Sequence, residues 1–238
     1  MVSADKSLGL QINFYNERRC RVEGLMGRRA LGKINAQLDL TRHLFQSDGL
    51  PQPWDPQKIF STNCLPEVEI GSGKGLFLQR HGTARPEKNL LGIEISLKYA
   101  RFAASRLARS KVDNARVVHA DARHVFSEIF PDASLAAVHI YFPDPWWKKR
   151  HHKRRLLNPD FVAQLSRTII RGGHLHFWTD VEETFTAGLA ALETDARLDG
   201  PQEVIATQAV HDLDYQTHFE RRMRLSGKKI YRSKFVRL

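Results

Sequence analysis

Glu69, Glu94 and Asp121 each close a short apolar run, and the first is followed by glycines on alternate positions, Gly71, Gly73 and Gly75. Glycine is needed where a backbone takes positive φ or lies so close to a ligand that a Cβ would collide, and the apolar helix start at Leu76-Phe77-Leu78 offers unpaired N–H groups. This is the composition of a turn beneath a nucleotide-type cofactor. The phosphate loop of NTPases requires Gly-x-x-x-x-Gly-Lys-[Ser/Thr], and here Ser72 alone separates Gly71 from Gly73. A dinucleotide fingerprint places its third glycine three residues after the second, where this chain has Leu76. What remains, Glu-x-Gly-x-Gly-x-Gly, suits a ligand with an ammonium, a sulfonium and no pyrophosphate, namely S-adenosyl-L-methionine.

A second chemical stretch is Phe142-Pro143-Asp144-Pro145-Trp146-Trp147. Two prolines stiffen the loop, so a carboxylate and aromatic faces are held with little entropy left to lose. Directly after it come Lys148, Lys149, Arg150, His151, His152, Lys153, Arg154 and Arg155, without an acid among them. Phosphates tracked along such a run would carry a nucleotide to Asp144, and Lys149, Arg150, Arg154 and Arg155 are the candidates to hold them.

The elements that must position these residues follow from periodicity. From Glu67 onward apolar runs alternate with helical patterns, the signature of a mostly parallel sheet with helices on both faces. Strands are expected at 67–70, 90–95, 116–121, 135–142, 174–180, about 203–210 and 229–237. Leu97, Ala100, Ala104, Leu107 and Ala108 share one helical face opposite Lys98, Arg101, Arg106 and Arg109. Asn158-Pro159-Asp160 caps a helix running to about Ile170, ended by Gly172-Gly173, and Glu182 to Arg197 forms another. Ligands of such sheets bind outside the carboxyl ends of the strands, so Glu69, Glu94 and Asp121 gather at one cleft. There Glu69 faces the methionine end of the cofactor, Glu94 the ribose hydroxyls and Asp121 the adenine amino group.

At 238 residues one core domain with an appendage is expected: a basic arm over residues 1–60, partly disordered, and a catalytic domain over 61–238. The arm carries Arg18, Arg19, Arg21, Arg28, Arg29 and Lys33, with a helix possible between Gly27 and Phe45. A net charge of +11 and a pI near 9.9 favour a polyanionic partner, nucleic acid before an anionic membrane, since no apolar run approaches spanning length. Cys20 and Cys64 are isolated and the N-terminus has no secretory pattern, which points to a reducing cytoplasm. Of the 11 histidines, His174 and His176 share a strand face, but no third ligand stands at a recognisable spacing, so no metal is expected.

Glu-Ile-Gly-Ser-Gly-Lys-Gly, Leu-Gly-Ile-Glu, Phe-Pro-Asp-Pro-Trp with its basic run, Phe-Trp-Thr-Asp and Thr-His-Phe-Glu occur in order over roughly residues 66–236. This series resembles the TrmB-type tRNA (guanine-N7)-methyltransferases. The resemblance implies a Rossmann-like class I methyltransferase fold and methylation of the guanine at tRNA position 46, in the variable loop. It implies cofactor contacts at Glu69, Glu94, Asp121 and Asp144, substrate contacts at Lys148, Asp180 and the segment from Thr217 to Glu220, and a catalytic role for Asp144. It also implies a tRNA partner; apart from the resemblance, a monomer or homodimer without a membrane is expected. The resemblance is carried by residues 66–236, and the first sixty residues show no convincing match to it.

The chemistry is consistent with those residues. Guanine N7 has a free lone pair, so its attack on a sulfonium methyl needs in-line placement and charge stabilisation, not a general base. The Watson–Crick edge of guanine offers adjacent N–H donors that Asp144 or Asp180 can accept, while Trp146 or Trp147 can stack on the base or pack the loop onto the core. In an A-form stem N7 lies in a groove that side chains cannot enter, so a loop nucleotide is the expected target. Two rivals stand beside this reading: a methyltransferase of exocyclic amines, whose Asp/Asn-Pro-Pro-aromatic loop would need proline where Trp146 stands, and an RNA-binding module on a vestigial fold.

Overall fold

The computed structural model describes residues 31–146, 148–204 and 217–238. The chain forms two units, Met1–Lys33 and Ile34–Leu238. Among the described residues of the larger, eight strands form one sheet: β1 (Leu44–Gln46), β2 (Glu67–Ile70), β3 (Leu90–Glu94), β4 (Ala115–His119), β5 (Leu135–Tyr141), β6 (Ile169–Thr179), β7 (Leu198–Glu203) and β8 (Tyr231–Arg237). Their order across the sheet is β1-β4-β3-β2-β5-β6-β8-β7. All neighbours from β1 to β6 are parallel, and β8 runs antiparallel to both β6 and β7. Reversal of strand order on either side of β2 makes the β2 carboxyl end the switch point where such sheets open a ligand crevice.

Helices α1 (Leu76–Ala84) and α2 (Leu97–Arg109) cover one face, where Phe77, Leu78, Ala100, Ala103 and Leu107 pack with Leu90 and Val117. On the other face lie α3 (Ala122–His124), which runs on into a π-helical turn at Val125–Ile129, and α4 (Pro159–Thr168) and α5 (Glu182–Leu192). Their apolar sides meet Val68, Ile70, Val138, Ile140 and Phe177. The start of α4 follows its sequence signals: Pro159 sits in the first turn and the Asn158 side chain accepts from the Phe161 N–H at 3.0 Å. A last helix, α6 (His218–Leu225), precedes β8.

Several expectations need correction. The segment 34–60 belongs to the sheet unit and not to an arm, because β1 pairs with β4 and Leu50, Ile59 and Phe60 are buried in the core. Residues 31–43 contain turns and no helix, and Leu44 and Phe45 are in a strand. Helix α4 stops at Thr168 because Ile169 already pairs with Leu135, and Gly172, at φ +76°, turns within the register shift of β6. Helix α5 stops at Leu192, where Glu193 to Arg197 forms a turn in which Asp195 accepts from Arg197. The penultimate strand is 198–203, earlier than expected, and residues 205–210 lie outside the described residues, as do Arg18, Arg19, Arg21, Arg28, Arg29 and Trp147.

Candidate active site

Five contiguous parallel strands, β4, β3, β2, β5 and β6, deliver Asp121, Glu94, Glu69, Asp144 and Asp180 to one edge of the sheet. Glu69, one residue before the end of β2, is only 3% exposed, and its Oε2 has no hydrogen-bond partner among the described residues. Burial pushes its carboxyl up to about 8, the Glu94 charge adding to the push. An unpartnered buried carboxylate oxygen is costly, and an ammonium group placed there would satisfy it. Beside it Gly71, Gly73 and Gly75 all take positive φ. A Cβ on Gly71 would meet nothing within 4 Å, whereas one on Gly75 would lie 2.7 Å from the Ala103 Cβ. The loop is therefore pinned on α2 at one end and open on the side where a ligand would lie. This donor set fits the methionine end of S-adenosyl-L-methionine.

Glu94 does more than the sequence foretold. Its Oε2 accepts from the Gly73 N–H and its Oε1 from the Ser96 N–H, both at 2.8 Å, so the carboxylate fixes the glycine loop and the turn into α2. Asp121 is exposed and caps α3, accepting from the Arg123 N–H at 2.8 Å.

Asp144 stands exposed three residues beyond the end of β5. Phe142 and Trp146, which bracket Pro143-Asp144-Pro145, both take left-handed backbone conformations, φ 52° and 48°. Each costs of order 1–3 kcal/mol, so surrounding contacts must hold the loop. Those contacts are visible: the Phe142 N–H donates to the Trp178 carbonyl at 2.8 Å and Arg155 Nε to the Pro145 carbonyl at 3.2 Å. The basic run folds as 3-10 turns over Lys149–Arg154. Lys148, Arg150 and Arg154 are exposed, and the Arg154 guanidinium lies 5.1 Å over the Trp146 ring, which His151 meets edge-on. Trp146 thus packs within its own loop. Arg155 is half-buried at the end of the basic run, where its Nη2 donates to Glu183 at 2.6 Å and its Nε to the Pro145 carbonyl, so it helps to position the loop.

Asp180 follows β6 half-buried. Thr217 caps α6, accepting from the Glu220 N–H at 3.0 Å, and the Phe219 ring stands 4.9 Å from that of Phe142, which brings α6 to the Asp144 loop. Glu220 is 2% exposed and pairs with Arg232 at 3.1 Å and Arg224 at 3.5 Å. Its carboxylate ties α6 to β8.

Sequence reasoning missed what lies beneath the cleft. On the α1 face Glu67 Oε2 accepts from His81 and from His139, both at 3.1 Å, and His139 Nδ1 meets the Tyr141 hydroxyl at 2.9 Å. Burial alone would push Glu67 up, but the two imidazoles outweigh it and hold it far below the carboxylate range. Burial pushes His139 down and His176, which stacks on it at 4.9 Å, down to about 3. With Nε2–H donated to Glu67, neutral His139 accepts the Tyr141 proton on Nδ1. The signal was the period-two recurrence of polar residues, Glu67-x-Glu69, His139-x-Tyr141 and His174-x-His176-x-Trp178, on adjacent strands.

The fold has solved counterparts. The aminoglycoside resistance methyltransferase NpmB1 superposes with a TM-score of 0.56 at 17% identity, covering 79% of this chain and 94% of that one. TrmN from Thermus thermophilus gives 0.51 at 14%, covering 73% and 44%. Strand order, glycine loop and strand-end acids define a class I methyltransferase fold. The family model described as "Putative methyltransferase" matches residues 65–233. A tRNA (guanine-N(7)-)-methyltransferase of Rhodopirellula baltica is 46% identical, with 87% of this chain and 79% of the relative covered. Its counterpart from Myxococcus xanthus is 34% identical, with 81% and 92% covered. The chain belongs to the TrmB-type tRNA (guanine-N7)-methyltransferase family.

Proposed function

We propose that this chain transfers the methyl group of S-adenosyl-L-methionine to N7 of guanine in tRNA, at position 46 of the variable loop. The observation that carries the reading is the setting of Asp144: a carboxylate in a doubly strained loop, flanked by the glycine loop of β2, the exposed basic turn and the first turn of α6.

When bound, the cofactor supplies an electrophilic methyl on a sulfonium centre. Glu69 receives its ammonium group, Gly71 to Gly75 leave room for its backbone approach, Glu94 turns its remaining lone pairs to the ribose hydroxyls, and Asp121 accepts from the adenine amino group. Lys148, Lys149, Arg150 and Arg154 hold phosphates of the tRNA. Asp144 and Asp180 accept from the guanine Watson–Crick edge, which leaves N7 facing the methyl group, and Asp144 stabilises the positive charge that moves onto the purine. No proton leaves N7, so none of these carboxylates needs to act as a base. The chain works on tRNA in the cytoplasm, as a monomer or homodimer and without a metal ion.

The test is to incubate the purified protein with methyl-labelled cofactor and unfractionated tRNA, digest the RNA and identify the labelled nucleoside. N7-methylguanosine is the expected product. Label on an exocyclic amine, or none in tRNA, overturns the reading.

A further inference from the structure

Arg106 is the one arginine of α2 whose side chain turns inward along the cleft, half-buried, while Arg101 and Arg109 face solvent. It spends its fork on three separate elements. Nε donates to the Lys74 carbonyl in the glycine loop at 2.8 Å, Nη1 to Gln79 Oε1 on α1 at 2.8 Å, and Nη2 meets His218 Nε2 on α6 at 3.0 Å. Gln79 is fixed from its far end, where its amide donates to Ser110 at 2.6 Å. Burial, then the charges of Arg106, Lys74, Arg221 and Arg222, push His218 down to about 4. The imidazole is therefore neutral at physiological pH, and Nε2 accepts the arginine proton.

Both ends of this clasp belong to a binding site. Lys74 lies between Gly73, whose N–H is held by Glu94, and Gly75, which is pinned on Ala103, so the Lys74 carbonyl moves only with the cofactor loop. His218 is the first residue of α6, between Thr217 and Phe219, and Phe219 packs on Phe142 beside Asp144. We propose that Arg106 is a positioning residue that ties occupancy of the cofactor loop to the setting of α6, so that cofactor and tRNA each strengthen the binding of the other. The proposal rests on the functional reading above. A planar guanidinium reaches three acceptors in fixed directions, which a lysine ammonium on a flexible stem does not do.

Coupling between two sites is reciprocal, so one factor must appear in both binding constants. The Kd for tRNA is measured with and without saturating S-adenosylhomocysteine, and the Kd for S-adenosylhomocysteine with and without tRNA. In the wild type both ratios should be the same, about tenfold. Arg106→Lys, which keeps the charge, should bring both ratios to about one, as should His218→Leu. His218→Gln restores an acceptor oxygen and should keep the coupling. A purely structural strap would instead lower the melting temperature or both affinities and leave the ratio intact. Should Arg106→Lys fail to fold, the two His218 variants, at the start of a surface helix, carry the test. Wild-type ratios of one, or ratios unchanged in His218→Leu, overturn the proposal. A chain that methylates guanine N7 with a ratio of one refutes the coupling alone, and a chain that binds no tRNA refutes both.

Discussion

Binding of S-adenosyl-L-methionine should expel a proton, and the proton should come from Glu69. Without ligand this carboxyl is buried, titrates at about 8 and leaves Oε2 unpartnered, so at neutral pH it is held protonated. An ammonium group seated against it reverses the preference, because an opposite charge within hydrogen-bond distance favours the carboxylate. At pH 6.5 the free ligand's amine is already charged, so binding should release about 0.9 proton per ligand. Because one pH unit below the carboxyl's pKa costs about 1.4 kcal/mol, the apparent affinity should strengthen about tenfold between pH 6 and pH 7. The rise should level off near pH 8, where the ligand's own amine begins to lose its proton. Calorimetric titrations in buffers of different ionisation enthalpy measure the proton count directly. Glu69→Gln keeps the volume and cannot titrate, so it should bind about 1.5–3 kcal/mol more weakly and release no proton. Zero release by the wild type, or the same release by the variant, refutes the pairing of Glu69 with the ammonium.

Asp144→Ala should keep tRNA binding and lose about 10²-fold or more in single-turnover rate, with little recovery in Asp144→Asn; an unchanged rate would remove Asp144 from the chemistry. Replacing Arg150 and Arg154 by alanine should flatten the salt dependence of tRNA binding by about 0.7–0.9 per contact, while Arg155→Ala should lower the rate through the loop and leave that slope nearly intact. The buried network predicts a pH profile of stability for the protein without ligand. Glu67, held low, and His139 and His176, pushed down, lose their stabilisation as pH falls below the ordinary glutamate and histidine values, whereas Glu69, raised to about 8, loses its own as pH rises. The melting temperature should therefore decline on acidification below about pH 6.5 and also drift down from about pH 6.5 to 8, and the second decline should vanish in Glu69→Gln.

Local patterns are legible in the chain, and contacts between distant residues are not. Short strands ending in an acid and a helix capped by Asn158-Pro159 are local patterns, so β2, β3, α2 and the start of α4 appear where periodicity places them. The strand β1 is three residues long and carries no period of its own; only the pairing of Leu44–Gln46 with Val117–His119 makes it a strand. The end of α4 was misplaced because β-pairing of Ile169 with Leu135 overrides the helical pattern, a contact between residues 34 apart. At the site, residue type showed which groups could meet a ligand but not how they are spent. Arg155, a phosphate candidate in the sequence, and Glu220, a substrate contact by resemblance, also have distant partners, Glu183 for one and Arg232 for the other, that no local pattern announces. Arg106 stands in the sequence on the polar face of α2 with Lys98, Arg101 and Arg109, and its inward bonding is not legible there because its three acceptors lie 32, 27 and 112 positions away.

The atom methylated is N7 of a tRNA guanine, attacked without proton removal. A tRNA transcript carrying 7-deazaguanosine at position 46 replaces that nitrogen by C–H and leaves the Watson–Crick edge and every phosphate in place. In single-turnover reactions it should bind as the guanosine transcript does and accept no methyl group at that position. Methyl transfer to the deaza transcript at the rate of the guanosine transcript would show that N7 is not the acceptor.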